Sequence, residues 1–371
     1  MKKTIIALSL VALGMGVAQA QEVVVKIGSS APLTGAQAHL GKDTENGVRL
    51  AVEDANAKGV TIAGKKVKFE VVGEDDQADP KQGTAVAQRL VDAGVKAVIG
   101  HMNSGTTIPA SRIYNQAGIV MISPSATNPT LTQQGFENIF RVMAHDGKQG
   151  PAAAKFAVSK LGKKVAVIDD RSAYGQGLAD EFEKAVKAAG GTVTTREFTT
   201  DKATDFMTIL TKVKSQNPDV IFFGGMDPQG GPMVKQVKQL GIGAKFLMGD
   251  GGCTPELIKL AGDAIKEGTA YCTQPGVPLD SMPDAKFKDR FKKRFNAEVQ
   301  AYSPYSYDAT STVIEAMKTA GSVEPAKYLP ALKKVAHKGV TGTIKFDEKG
   351  DLKDGAITVY EFKAGKWEPM K

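Results

Sequence analysis

The sequence predicts an α/β protein of two doubly wound lobes, each with a parallel-rich central sheet, facing one another across a hinged cleft. Three observations carry this. At 371 residues the chain exceeds what one hydrophobic core usually organises, so two lobes of roughly 100 to 200 residues are expected. Strand-like apolar runs alternate with amphipathic stretches almost end to end, the pattern of parallel sheets covered by helices. The alternation then begins afresh at Val165. With 42% apolar and 24% charged residues, extended disorder is excluded. Forty glycines, about 11% against a usual ~7%, suit many tight turns.

Lys2-Lys3, an apolar run from Thr4 to Val17 and Ala18-Gln19-Ala20 read as a secretory signal peptide over residues 1–20, with an A-x-A cleavage site. The run is too short for a membrane span, and a buried first helix is the competing reading. No Cys follows it to support a lipid anchor, and no later segment offers about 18 consecutive apolar residues. The expected product is a soluble, exported protein of a bacterial periplasm, without direct membrane insertion.

The first series places strands at 23–27, 67–72, 96–99 and 118–122, with helices at 46–57, 81–93 and 106–116. In the second, strands at 165–168, 192–198, 220–223 and 245–248 alternate with helices at 176–189, 204–214 and 229–240. Phe206, Ile209, Leu210 and Val213 follow i, i+3, i+4, i+7, the stripe of a helix packed on a sheet. Beyond Cys272 come helices at 284–295, 306–319 and 325–335 and strands at 342–346 and 356–362. This tail is too irregular for a third sheet and is expected to complete the other two. Residues 21–144 with 276–352 then form one lobe, and 145–275 with 353–371 the other. Such a topology leaves a ligand cleft at the carboxyl ends of two sheets.

Cys253 and Cys272 have eighteen residues between them, and in an oxidising compartment they are expected to pair. Two independent thiols and half of a metal site are the alternatives, the latter lacking a His or second Cys pair at ligand spacing. Enzyme signatures are scarce: there is no phosphate loop, no G-x-G-x-x-G after the first strand, no G-x-S-x-G and no H-E-x-x-H. His39, His101, His145 and His337 are scattered, and His101 reads as structural. Glu74, Asp75 and Asp76 read as a solvated loop face. The formal charge of +8 drops to +6 without Lys2 and Lys3, and no Lys/Arg block carries interleaved aromatics, so nucleic acid is not an expected partner.

Polar loops at strand ends are more informative. Gly100-His101-Met102-Asn103-Ser104-Gly105-Thr106-Thr107 follows a buried strand and opens a helix, a natural site for a carboxylate. Ser123-Pro124-Ser125-Ala126-Thr127 follows another strand, and the second series adds Ser172-Ala173-Tyr174-Gly175, Gly224-Gly225-Met226-Asp227 and Met248-Gly249-Asp250-Gly251. Each alone could be a capped turn. Together, at equivalent strand ends across a cleft, they predict a ligand.

The same loops, with Ala31-Pro32-Leu33-Thr34-Gly35, Asp75-Asp76, Asp79-Pro80 and Asp347-Glu348-Lys349-Gly350-Asp351, resemble the leucine/isoleucine/valine-binding proteins. These are the periplasmic substrate-binding components of branched-chain amino-acid ABC transporters, with the type I periplasmic-binding-protein fold. The resemblance runs through the whole chain after the signal peptide in the same order. It implies Ser104 and Thr127 for a ligand α-carboxylate, Ser125 and Thr127 beside its ammonium, and Asp250 as the ammonium's counter-ion. It implies Tyr174 as an aromatic closing from the second lobe. Ala126 lies in the same loop, and Leu40, Met226 and Tyr302 are plausible apolar walls by position. Two positions depart from the family pattern. Met226 stands where the better-known members carry tyrosine, and Ala78 and Asn103 stand where they have a first-lobe disulfide, which moves the expected bridge to Cys253 and Cys272. The implied protein is a monomeric, non-enzymatic receptor with no cofactor, its partners an amino acid and an inner-membrane ABC permease. Receptors for an aromatic amino acid, an amide or an organic acid are the alternative within the fold.

Overall fold

The computed structural model describes residues 22–370, so the expected signal peptide at 1–20 lies outside the described residues. The first sheet is built from β1 (Val23–Ala31), β2 (Thr61–Ile62), β3 (Lys65–Asp75), β4 (Ala97–Gly100), β5 (Val120–Ser123) and β6 (Ile139–Arg141), in the order β2-β3-β1-β4-β5-β6. All neighbours are parallel except β2 on β3. β4 and β5 are buried at every residue, as expected of strands covered on both faces. Their covering helices include α1 (Ala38–Ala57), α2 (Pro80–Asp92) and α3 (Ser104–Gln116), with the short α4 (Thr130–Gln133) beyond β5.

After α5 (Asp146–Phe156) the second series runs β7 (Lys164–Asp169), α6 (Ala173–Ala188), β8 (Thr192–Phe198), α7 (Met207–Ser215), β9 (Val220–Gly224), α8 (Asp227–Gln239), β10 (Lys245–Met248), α9 (Pro255–Ala261) and β11 (Ala270–Pro275). The chain continues through α10 (Phe287–Phe295), α11 (Ser303–Ala320), α12 (Pro325–Lys333), β12 (His337–Lys338), β13 (Thr343–Ile344), β14 (Ile357–Lys363) and β15 (Lys366–Pro369). The second sheet has the order β15-β14-β11-β10-β9-β7-β8, with β14 antiparallel to both its neighbours and all other pairs parallel.

The tail divides between the two sheets. α11 packs on α1 and β4, and Gly47 permits the approach, because a Cβ there would collide with the Ser303 backbone. The hydroxyl of buried Tyr328 on α12 donates to the Lys96 carbonyl at 2.6 Å, tying this helix to the start of β4. β14 and β15 extend the other sheet. The strand expected at 342–346 joins neither: β13 pairs only with β12 in a separate two-stranded ribbon, anchored where Asp308 of α11 accepts the Val340 and Thr341 amides.

α1 begins at Ala38 rather than at residue 46. The stretch Gly41-Lys42-Asp43-Thr44 reads as polar, yet Asp43 is buried, and its carboxylate accepts the backbone amides of Gln300, Ala301, Tyr302 and Ser303 at 2.7 to 3.1 Å. It thereby caps α11 from another helix. Cys253 and Cys272 form a disulfide, Cα to Cα 5.3 Å, that packs with Tyr360 and Trp367. Of the carboxylates expected on a solvated face, Glu74 and Asp75 end β3 and are partly exposed, but Asp76 is not. Asp76 is fully buried against His101, Asp75 accepts the Leu33 and Gln77 amides, and Glu74 pairs with Arg89.

Candidate functional site

The strands of both sheets end toward one another, and the predicted loops occupy those ends. On the first side, Nδ1 of His101 contacts Asp76 Oδ2 at 2.8 Å and Ser30 Oγ at 2.9 Å, and its Nε2 contacts the Tyr114 hydroxyl at 2.9 Å. All four side chains are buried, so the network locks the turn from which α3 begins at Ser104. Ser125 Oγ donates to the Met102 carbonyl at 2.9 Å, joining the β4 and β5 loops.

Arg141, at the end of β6, is fully buried and braces the next stretch. Its guanidinium donates to Asp351 at 2.5 and 2.9 Å, to the carbonyls of Ala126 and Asn128 at 2.8 and 2.9 Å, and to Thr132 Oγ1 at 3.0 Å. These bonds clamp the backbone on either side of Thr127. The Thr127 hydroxyl is buried beside the Asp146 carboxyl and makes no well-formed hydrogen bond.

On the second side Ser172 caps α6 by accepting the Gly175 amide at 2.9 Å, which fixes Tyr174 in the first helical turn. The Tyr174 hydroxyl donates to Asp250 Oδ1 at 2.9 Å and accepts the Gly251 amide at 3.0 Å. Gln149 Nε2 of α5 donates to the same Oδ1 at 2.8 Å. From the first side Tyr302, held by the Asp43 cap, donates its hydroxyl to Asp250 Oδ2 at 2.8 Å. Asp250 is therefore where the two sides meet. Met102, Asn103, Ser104, Ser125, Tyr174, Met226, Asp250 and Tyr302 line one enclosed space of about 10 Å³, the scale of a single water molecule.

Residues 24–366 match the family described as periplasmic binding protein. The chain belongs to that family. A periplasmic binding protein relative, the Leu/Ile/Val-binding protein homolog 2 of Brucella abortus (strain 2308), is 38% identical over 344 residues, 92% of this chain and 91% of its own. Among solved structures, the branched-chain amino acid transporter substrate binding protein of Streptococcus pneumoniae in complex with isoleucine is similar. It has a TM-score of 0.82 and 30% identity over 93% of this chain and 98% of its own. A solute binding protein of an ABC transporter from Rhodopseudomonas palustris BisB5, in complex with 3,4-dihydroxy benzoic acid, has a TM-score of 0.79 and 25% identity. It covers 93% of this chain and 95% of its own.

Six of the residues predicted from sequence line the enclosed space of this periplasmic binding protein: Ser104, Ser125, Tyr174, Met226, Asp250 and Tyr302. Leu40, Ala126 and Thr127 do not. Leu40 is buried in the core beneath α1, and Ala126 packs into the cluster of α2 and α3. Sequence reasoning placed Met102 and Asn103 in a ligand loop without giving either a role, and missed Asp43, Arg141, Asp146 and Gln149 behind the lining. Asp146 and Gln149 open α5, and a buried helix start after a strand was the available signal. Among the described residues no group of three or more His, Cys, Asp or Glu is arranged to hold a metal, and no helix is long and apolar enough to cross a membrane.

Burial dominates the electrostatics. It pushes the Asp250 carboxyl up, and the Gln149, Tyr302 and Tyr174 donors pull it partly back. Burial and then the nearby Asp250 charge hold the Tyr174 and Tyr302 hydroxyls well above their ordinary value, so both remain donors. Asp146 is pushed up to about 8, first by burial and then by the Asp250 charge.

Proposed function

We propose that this chain is the periplasmic receptor of a branched-chain amino-acid ABC transporter. It captures leucine, isoleucine or valine between its lobes and hands the ligand, chemically unchanged, to an inner-membrane permease. The observation that carries this reading is Asp250, a fully buried carboxylate at the meeting of the two sides with no cation paired to it among the described residues. A zwitterionic amino acid brings the missing positive charge. Its α-carboxylate belongs at the start of α3, on the backbone amides there with Ser104 and Thr127, where the helix dipole favours an anion. Ser125 lies beside the ammonium, Tyr174 closes over it, and Met226, Tyr302 and Met102 offer the aliphatic side chain an apolar wall, with Leu40 and Ala126 behind. Residues 21–144 with 276–352 act as one rigid lobe and 145–275 with 353–371 as the other. Export through the 1–20 signal peptide and a monomeric state complete the proposal.

The R. palustris relative with a bound aromatic acid favours a second reading, an organic-acid receptor. Such a ligand leaves Asp250 without a counter-charge. A thermal-shift screen of refolded, ligand-free protein against the twenty amino acids, benzoate and 3,4-dihydroxybenzoate separates the two. Ligand at 100 times its Kd should stabilise by about 2.7 kcal/mol. Leucine, isoleucine and valine should give the shift, and a shift from the aromatic acids alone would overturn the proposal.

A further inference from the structure

We propose that the Asn128 side chain, seated over Gly177, is a latch that holds the two sides together around the ligand without touching it. The inference rests on the amino-acid reading and on lobe closure. Asn128 Nδ2 donates to the Ala173 carbonyl at 2.6 Å, which joins the loop after β5 to the first turn of α6. On the proposed division these segments belong to different lobes. Asn128, Ala173 and Gly177 all stand outside the lining of the enclosed space.

Asn128 is mounted rigidly on its own side. Its backbone N–H donates to Ser104 Oγ at 3.3 Å, and its carbonyl accepts Arg141 Nη1 at 2.9 Å and the Leu131 amide at 3.2 Å. Its Oδ1 accepts the Thr130 amide at 2.9 Å, an Asx turn that fixes which end of the side-chain amide faces outward. Only Nδ2 is left to reach across. With the side chain already ordered, little freedom is lost when the contact forms.

The receiving side is cut to fit. Ser172 caps α6 and leaves Ala173 exposed in its first turn. A carbonyl has two lone pairs, so Ala173 can serve the helix and still accept from outside. One turn further on stands Gly177. Cβ atoms on a helix lean toward its N-terminus, so a side chain at 177 would lean back over Ala173. A Cβ there falls 2.5 Å from Asn128 Nδ2 and 3.3 Å from its Cγ. Glycine is a poor residue for a helix interior, and at this position it leaves room for the incoming amide.

With the lobes apart, Nδ2 and the carbonyl are both wetted, so neither loses its hydrogen bonding on opening. The contact forms only after ligand has entered and the loops have met, and release must undo it. Its chain neighbours are Thr127 and Tyr174, so the latch registers the proposed carboxylate loop against the aromatic that closes over the ligand. Asn128 is thus a positioning residue.

The test compares refolded, ligand-free parent with Asn128→Ser and Gly177→Ala. Serine keeps an oxygen for the Thr130 amide but is too short to reach Ala173, and alanine displaces the Asn128 amide from the α6 side. Each variant should release isotope-labelled leucine, isoleucine and valine about two- to tenfold faster, by one factor for all three, with association unchanged. The double variant should lose no more than either single one, because both remove the same contact. The melting temperature of ligand-free Gly177→Ala should not fall, since alanine favours the helix, and this separates a latch from damage to α6. Unchanged release in either folded variant overturns the inference. So do losses that differ among the three ligands or that add in the double variant. If Asn128→Ser fails to fold, Gly177→Ala decides alone. A parent that binds none of the three amino acids removes the amino-acid reading and the latch with it, whereas a parent that binds, with variants indistinguishable from it, removes the latch alone.

Discussion

Asp250 accepts hydrogen bonds from α5, α6 and the start of α11, so one side chain couples both halves of the molecule. Asp250→Asn keeps the shape and removes the charge that, on the proposed reading, faces the ligand ammonium. Breaking a buried pair costs on the order of 3 to 5 kcal/mol, so leucine affinity should drop more than a hundredfold. Ser104→Ala should cost about 1.5 to 3 kcal/mol, because backbone donors at the α3 start remain. Titration calorimetry on both variants checks the ordering, and Asp250→Asn binding as tightly as the parent would remove the ammonium assignment. That the loops of Ser104 and Asp250 come together was legible because they are local motifs at strand ends. Arg141 was not, since its role depends on Asp351, 210 positions away. Asp43 was hidden likewise: its carboxylate caps a helix some 260 residues further on.

At the scale of elements, the disulfide pins the segment after β10 to β11. A loop of this length stabilises by roughly 3 kcal/mol, so Cys253→Ser with Cys272→Ser should lower the urea midpoint with ligand affinity little changed. Unaltered stability would count against a structural role. A second device joins helices: His39 Nε2 of α1 lies 2.8 Å from Asp227 Oδ2 of α8, and Thr254 also donates to that oxygen. Burial lowers the His39 pKa, but the hydrogen bond and charge of Asp227, with Glu256, outweigh it and leave the pKa raised. The pair's support for closure is therefore complete below the ordinary pKa of about 6.5 and is lost as pH rises through the raised value. His39→Gln should weaken ligand binding at pH 6 by up to about fivefold and by less at pH 8. Equal losses at both pH values would exclude an ionic contribution. Most long elements were readable from periodicity, though α5 and β11 were missed; β2, β6 and β12 were missed for a different reason. They are two or three residues each, and strand character there comes from a partner rather than from composition.

For the molecule as a whole, the enclosed space of about 10 Å³ is far below the several hundred that ligand pockets usually offer. On the proposed reading an amino acid enters only if the lobes swing apart, each lobe holding half of the polar contacts that draw them together again. Small-angle scattering should show refolded, ligand-free protein with a larger radius of gyration than leucine-saturated protein, and Asp250→Asn should compact less on adding leucine. Identical profiles would exclude hinge closure. The two-lobed architecture was legible because the βα alternation runs twice. That the tail completes both sheets could be expected in outline, but the β12 and β13 ribbon could not, because it depends on Asp308 of a distant helix.

The packing of α11 against α1 bears on how the protein is made. A nascent chain emerging from the ribosome presents the apolar face of α1 early, yet the partner that covers it begins only at Ser303. The first lobe therefore cannot finish folding during most of synthesis. Contacts spanning so much of the chain delay its completion, and loop closure makes them slow to form. Under the proposed export that delay is useful, because a translocation channel passes extended chain and not a finished lobe. A chain cut short after Pro275 would carry the whole first sheet without α11 to cover it, a natural target for chaperones and proteases.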